Sequence, residues 1–383
     1  MKQVYLDSAA TTQMRPEVIA RMIDVMNDSY GNPSSTHSYG RSAKSLIETA
    51  RKNIAAQLNV TAAEIIFTSG GTEADNLAIH SCVRDLNVER IITTKIEHHA
   101  VIYIVEYCQE KYGTEVVYLD LQECGTPSYE HLEQVLKDNS KKTLVSLMHI
   151  NNEIGNKLDI DRVGSLCKEH GALFHSDCVQ SVGHYEMDLK TLPVDFTAVS
   201  AHKFHGPKGV GFSFVRKGTG LRPLILGGSQ ERGIRAGTES VHNIVGMDLA
   251  LTMAYERLEE ERTYVTDLKQ YFKSQLEQHL PGVKFNGSCS DSENSTYTLL
   301  NVCLPCDAQK ASMLLFTLDL KGIACSKGSA CQSGSQQGSH VLNQVLKSED
   351  MNKPNLRFSF SVFNTKEELD YVVAVLKDYV DKL

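Results

Sequence analysis

Ser200-Ala201-His202-Lys203-Phe204-His205-Gly206-Pro207-Lys208-Gly209 lies between two short apolar runs, 194–200 and 210–215. Runs of that length, bounded by Gly and Pro, read as strands joined by a tight connection, which puts Lys203 just past a strand end. Open α/β sheets bind their ligands at that place. A lysine flanked by histidines and glycines can act as a Schiff-base nucleophile when its surroundings keep part of it neutral. A solvated surface lysine is the plain alternative, so the case rests on its partners.

Working outward, residues 65–68, 90–94, 115–119, 143–148, 172–175, 196–200 and 210–215 are strand-like, and stretches able to form helices separate most of them. That alternation predicts an α/β fold with a mainly parallel, seven-stranded sheet covered by helices. The large domain is expected at 14–247. A Glu/Lys/Leu-rich helix at about 249–280 then carries the chain to a smaller α/β domain made of 1–13 and 248–383. Strands are expected there at 298–304, 322–325 and 355–361, and helices at 308–320 and 366–383. Near the start, Pro16 can open a helix to about Asp28. Gly31-Asn32-Pro33-Ser34-Ser35 breaks the periodicity before an amphipathic segment at 38–58.

The 383 residues carry 39 Lys+Arg against 47 Asp+Glu, a formal charge of -8, which offers no general basic surface for nucleic acid. The first six residues are too short and polar for an export signal, and no apolar stretch could span a bilayer. The expectation is a cytoplasmic protein with no membrane contact. Ten cysteines are scattered through a long chain rather than framing a small one, so reduced thiols are expected.

Other strand ends carry groups that suit a phosphorylated cofactor. Thr68-Ser69-Gly70-Gly71-Thr72-Glu73 joins a strand to a helix; its glycines permit close approach, and the first-turn N–H groups can bind phosphate. It is neither the dinucleotide fingerprint nor the Gly-Lys-Ser/Thr phosphate loop. Asp177, ending another strand, can pair with a protonated pyridine nitrogen, or cap the following helix instead. Gln180 is three residues on. His98, in Glu97-His98-His99, could stack on a planar ring and exchange protons. Asn152 lies in His149-Ile150-Asn151-Asn152 after a further strand. The 14 histidines invite a metal reading, yet no His-Glu-x-x-His helix or zinc-like spacing occurs, so no metal is expected.

Gly322-Ile323-Ala324-Cys325-Ser326-Lys327-Gly328-Ser329-Ala330-Cys331 is the second distinctive stretch. Cys331, set among Gly, Ser and Ala, is the candidate nucleophilic thiol; it must become a thiolate, against a free value of about 8.5. Cys325 ends an apolar run and reads as packed. The pair Cys303 and Cys306 leaves open a redox dithiol, or a metal site shared with Cys325 and Cys331, although the 325–331 spacing is too wide for the usual zinc pair.

Taken in order, these segments resemble a cysteine desulfurase of the NifS/IscS-like group, in the class-V aminotransferase family of pyridoxal-phosphate (PLP) enzymes. The likeness also runs through Tyr5-Leu6-Asp7-Ser8-Ala9-Ala10-Thr11-Thr12, Gly31 to Ser35 and Arg235-Ala236-Gly237-Thr238-Glu239. It implies fold type I, the aspartate-aminotransferase architecture. By this resemblance Lys203 is the Schiff-base lysine, Asp177 the pyridine-nitrogen partner, and Gln180 and Asn152 lie near the ring hydroxyl and substrate. Gly71, Thr72, Ser200 and His202 contact the phosphate, and Thr238 reaches the phosphate of the other subunit of a homodimer. Arg357 clamps the substrate carboxylate, Asn32 joins it in the substrate site, and His98 is an acid–base group. Cys331 is the nucleophile that takes sulfur from L-cysteine as a persulfide, leaving L-alanine. The implied partners are an iron–sulfur scaffold or another sulfur-acceptor protein.

Two departures qualify the likeness. Phe358-Ser359-Phe360-Ser361-Val362-Phe363 follows Arg357 where the group often has Ser-Leu-Gly-Arg, and the chain ends at Leu383 without the group's longer tail. The rival readings are a selenocysteine lyase, or another PLP-dependent lyase, and a cysteine–metal sulfur carrier without turnover.

Overall fold

The computed structural model describes residues 2–306, 308–327 and 338–381. The chain opens with a two-residue strand β1 (Val4–Tyr5) and helices α1 (Pro16–Asp28) and α2 (Ser38–Gln57). Strand and helix then alternate: β2 (Ile65–Thr68), α3 (Gly71–Leu86), β3 (Arg90–Thr93), α4 (His99–Tyr112), β4 (Glu115–Tyr118), α5 (Tyr129–Leu136), β5 (Thr143–Ser146), α6 (Ile160–Glu169) and β6 (Leu173–Asp177). Two strands close the series, β7 (Phe196–Ser200) and β8 (Gly211–Val215).

These strands form one seven-stranded sheet in the order β2-β8-β7-β6-β5-β3-β4. All pairs are parallel except those of β8, which runs antiparallel to both β2 and β7. The exception follows from the connection: ten residues link β7 to β8, enough for a turn back but too few for a crossover helix. Strands β2, β3, β5, β7 and β8 are buried almost throughout, as strands of a sheet covered on both faces must be. Each expected strand of this sheet is present within one or two residues.

Beyond the sheet, α7 (Val241–Glu256) and α8 (Leu258–His279) replace the single helix expected at 249–280. The break at Arg257 separates two environments. Helix α7 is apolar on most sides and packs into the core that contains α1 and α2, whereas α8 buries one stripe, including Val265, Leu268, Phe272 and Leu276, in a second core. The rest of the chain supplies β9 (Lys284–Phe285), β10 (Leu299–Cys303), α9 (Ala308–Leu320), β11 (Ile323–Ala324), α10 (Leu342–Val345), β12 (Asn355–Ser359) and α11 (Lys366–Asp381). Strands β12, β10 and β9 form a small antiparallel sheet.

The N-terminus belongs to this second assembly. Val4 and Tyr5 pair in parallel with Ile323 and Ala324, and Val4 and Leu6 join the core of α8, β10 and α11. Residues 7–13 then cross to the turn after β7: Thr12 N–H donates to His202 O at 2.9 Å, and His205 N–H donates to Thr12 Oγ1 at 2.8 Å. No helix among the described residues is long and apolar enough to cross a membrane.

Candidate active site

Lys203 ends a single 3-10 turn, Ala201–Lys203, directly after β7. The turn is closed by Gly206 N–H donating to Ala201 O at 3.0 Å. His205 has a positive φ of 66°, uncommon for a residue with a side chain; its backbone N–H bonds Thr12 Oγ1 and its Nδ1 meets Gln13 O at 2.7 Å. The Lys203 ammonium donates to Ala9 O at 2.6 Å and Ala10 O at 2.9 Å, so the crossing segment holds the amine over the sheet edge.

One cavity of about 210 Å³ gathers Gly71, Thr72, His98, Asn152, Asp177, Gln180, Ser200, His202, Lys203 and Arg357, together with Ala9, Ala10 and Met148. Ten of the residues singled out in the sequence therefore meet at the C-terminal ends of the strands, drawn from six separate loops or elements. Asn32 and Thr238 do not line it. Both are exposed; Asn32 Oδ1 accepts from Ser34 N–H at 2.9 Å in its own turn. Cys331 lies outside the described residues.

The phosphate end of the cavity is the N-terminus of α3. Gly70 has φ 150°, a conformation that side chains rarely adopt, and a Cβ on Gly71 would lie 2.6 Å from Val179 Cγ2. Ser200, whose Oγ lies close beneath this turn, and His202 stand beside it. Sixteen residues of helix point their positive end here, and free first-turn N–H groups fit a phosphate dianion. Glu73 fixes the turn from outside, taking Ser69 N–H at 2.8 Å and both sides of Arg235 at 2.8 and 3.1 Å.

At the opposite wall Asp177 ends β6, and its Oδ1 accepts Val179 N–H at 2.9 Å. Burial lifts its carboxyl to about 6, against the pull of that hydrogen bond and of Lys203. Two acids that the sequence reading did not assign lie nearby. Asp75 on α3 is 1% exposed and is held well above the carboxylate range by burial, then by Asp177 and Glu97. Glu97 is pushed up to about 8 by burial, although Met148 N–H and Thr94 Oγ1 donate to it at 3.0 Å each. Of the two aspartates, Asp177 is the one that Lys203 pulls toward the ionised form, whereas Asp75 has only burial and neighbouring acids acting on it, all of which favour its neutral form. Asp75 Oδ1 also lies 3.3 Å from His175 Nε2, and His175 Nδ1 is 2.9 Å from Ser146 Oγ. Only folding shows the cluster, because 102 positions of chain separate Asp75 from Asp177.

The Glu97 shift has a testable sign. An unfolded glutamate titrates near ~4.3, so its raised folded value means the native state loses stability as pH climbs from there toward 8. Glu97→Gln, a mimic of the protonated form, should match wild type near pH 5 in urea titrations. By pH 8 it should gain on the order of 4 kcal/mol. A difference that does not vary with pH would remove the titration from this window.

His98 caps α4 through Nδ1, which accepts Ala100 N–H at 3.1 Å. That contact leaves the ring proton of neutral His98 on Nε2. Burial, then Lys203 and His340, hold the imidazole down at about 4. His98 is therefore a neutral N–H donor at physiological pH. At the last wall, Arg357 on β12 is 1% exposed, and its Nη1 donates to Asn152 O at 2.8 Å. Cys325, six residues before Cys331 in sequence, has a thiol pushed up to about 12 by burial and then by Asp7, which makes it a poor nucleophile.

A lysine at a strand end, a buried aspartate opposite, a helix N-terminus free to take phosphate and an arginine across a 210 Å³ cavity fit PLP end to end. Fold and site together define the class: a PLP-dependent enzyme of fold type I, with its seven-stranded sheet and a smaller domain. Residues 4–372 match the family described as "Aminotransferase class-V". The chain is 41% identical to a putative cysteine desulfurase IscS 1 of Bacillus subtilis, over the whole of both chains. It is 40% identical to a cysteine desulfurase IscS of Dictyoglomus turgidum, covering 100% of this chain and 95% of that one. Among solved structures, a NifS-like protein superposes with a TM-score of 0.90 at 34% identity over all of both chains. SspA in complex with cysteine superposes at 0.82, with 30% identity over 95% of this chain and all of that one. The chain belongs to the class-V aminotransferase family, within its NifS/IscS-like cysteine desulfurases, a family that implies PLP as cofactor.

Proposed function

We propose that this protein converts L-cysteine to L-alanine and passes the sulfur to Cys331 as a persulfide, for iron–sulfur cluster assembly or another sulfur-requiring pathway. The convergence of Lys203, Asp177, the α3 N-terminus and Arg357 on one cavity carries the reading. When bound, PLP supplies a sink for the electrons of the substrate α-carbon. Gly71, Thr72, Ser200 and His202 would hold its phosphate, Asp177 its ring nitrogen and Lys203 its carbonyl carbon.

The chain's own groups do the rest. Arg357 binds the substrate carboxylate, beside Asn152. The Lys203 amine, in the cavity, would take the α proton and return one to carbon. His98 offers its Nε2 proton into the same cavity. In the overall exchange the Cβ–S bond of cysteine breaks and an S–S bond to Cys331 forms. The electron pair of the broken Cβ–S bond stays on carbon, which takes one proton to become the methyl group of alanine, and the second thiol proton stays on the persulfide or passes to solvent.

Cys331 is tested against Cys325. Cys331→Ser should bind L-cysteine yet form no protein persulfide and no alanine by turnover, whereas Cys325→Ser should keep at least about half of wild-type alanine production, because a thiol held near 12 is not the attacking group. Peptide mass analysis after brief cysteine exposure locates the sulfur. Sulfur found first on Cys325, with full turnover in Cys331→Ser, would reverse the assignment. A parallel assay with L-selenocysteine distinguishes desulfurase from selenocysteine lyase.

A homodimer completes the proposal. Thr238 and Asn32 are exposed outside the cavity of their own chain, and Leu226 at 82% and Tyr30 at 73% are exposed as well. Large apolar side chains so open to water are suited to cover by a second copy. Mixing inactive Lys203→Ala subunits with Thr238→Ala subunits should create one class of site with both native groups and restore cofactor affinity there. Unchanged cofactor affinity in Thr238→Ala alone would remove that residue from the site.

A further inference from the structure

We propose that Asp7 is a positioning residue that restrains the grip of Arg357 on a ligand carboxylate, so that the product is released. The proposal rests on the reading of Arg357 as the carboxylate clamp. Arg357 Nη2 donates to Asp7 Oδ1 at 2.8 Å, while Nη1 is taken by Asn152 O at 2.8 Å. Arg357 Nε is buried without a hydrogen-bond partner among the described residues. Arg357 lines the cavity and Asp7 does not, so Asp7 acts on the ligand through the guanidinium.

Asp7 is held in place from two directions. Strand β1 delivers it beside β12, where it forms a bridge with Ser359. Ser326 Oγ donates at 2.8 Å to the same Asp7 oxygen that Arg357 uses. Ser326 and Arg357 also exchange backbone hydrogen bonds, Arg357 N–H to Ser326 O at 2.7 Å and Ser326 N–H to Arg357 O at 3.2 Å. The arginine is therefore positioned by its backbone and by Asn152 as well as by Asp7. What Asp7 alone contributes is a unit of negative charge.

That charge has a consequence for turnover. L-cysteine and L-alanine present the same carboxylate and the same α-amino group, so a clamp on the carboxylate binds substrate and product alike. Binding common to both does not accelerate the chemistry. A guanidinium shielded only by neutral groups, in a site this buried, would hold alanine as firmly as cysteine. With Asp7 present, an arriving carboxylate becomes the second anion on one cation, and its repulsion by Asp7 weakens the clamp by about tenfold at the effective dielectric of a protein interior. The Ser326 hydroxyl takes up part of the Asp7 charge and so moderates the restraint.

The test uses the PLP-loaded enzyme, with ligand binding followed by the change in cofactor absorbance. L-alanine and ethylamine are the probes, the second being an amine without the carboxylate. In Asp7→Asn, which keeps an oxygen for Arg357 but removes the charge, the Kd for L-alanine should fall about tenfold. The Kd for ethylamine should stay the same. The KM for L-cysteine should fall with it while kcat does not rise. Ser326→Ala should act in the opposite sense, weakening L-alanine by about twofold, because Asp7 then keeps more of its charge for Arg357. It carries the test if Asp7→Asn does not fold. Unchanged or weaker L-alanine binding in Asp7→Asn overturns the proposal, and so does an equal change for both probes, which marks a purely structural role. Arg357→Gln separates the two readings: it should abolish the preference for L-alanine over ethylamine. If that preference survives, the clamp assignment fails and the Asp7 proposal falls with it.

Discussion

Lys203→Ala should lose cysteine desulfuration by about 10⁴-fold or more, because a single amine serves as covalent anchor of the cofactor and as carrier of the α proton. The structure explains why no neighbour can substitute. The amine is fixed by Ala9 O and Ala10 O, and the imidazoles that line the same cavity, His98 and His202, are both held near 4, burial being the main cause and Lys203 the next. Borohydride reduction followed by peptide mass analysis is the direct check. Wild-type enzyme should carry the cofactor mass on the peptide containing Lys203, and the variant should carry none anywhere. Retained turnover, or a cofactor fixed to another lysine, would refute the assignment.

Asp177→Asn should cost about 10²–10³-fold in kcat/KM, the equivalent of roughly 3–4 kcal/mol for removing one partner of a buried charge pair. Asparagine keeps the shape and can still accept Val179 N–H, so the fold should survive and the loss should come from charge alone. Asp75 is poorly suited to take over, because burial and the neighbouring acids Asp177 and Glu97 all favour its neutral form. Burial lifts Asp177 to about 6 in the empty site, so activity in wild type should fall only at pH below that value. A bound ring cation lowers that value further. An Asp177→Asn enzyme within fivefold of wild type would show that the carboxylate is no partner of the cofactor.

Much of this was legible in the chain because sheet-forming runs and their turns are local. The seven strands from Ile65 to Val215 stand out by short apolar runs cut by Gly, Pro and polar residues, and the ligand groups follow at their ends. The α7–α8 break was not legible, since Arg257 lies in a continuous helical pattern and only the change of core on either side of it bends the chain. Asp75 and Asp7 were missed for a related reason. Asp75 reads as a polar turn of a helix, and Asp7 as part of a small-residue segment; each gains its meaning from a partner about 100 or 350 positions away. Asn32 marks the reverse limit, because a family likeness pointed to a cavity that its own chain does not bring it to, whereas Thr238 is expected at the site of the other subunit.

The crossing of residues 7–13 over Lys203 also sets an order of events during synthesis. The strands of the large sheet end at Val215 and can pair as soon as that residue leaves the ribosome. The carbonyls of Ala9 and Ala10 cannot be fixed over the lysine so early, because the strand just before them pairs with Ile323 and Ala324, more than a hundred residues later. Until then the first dozen residues must wait as an unpaired leader beside a sheet already formed. The reactive amine is thus assembled in two instalments, the lysine early and its restraint late. A nascent chain cannot present the finished site until nearly all of its length has been made.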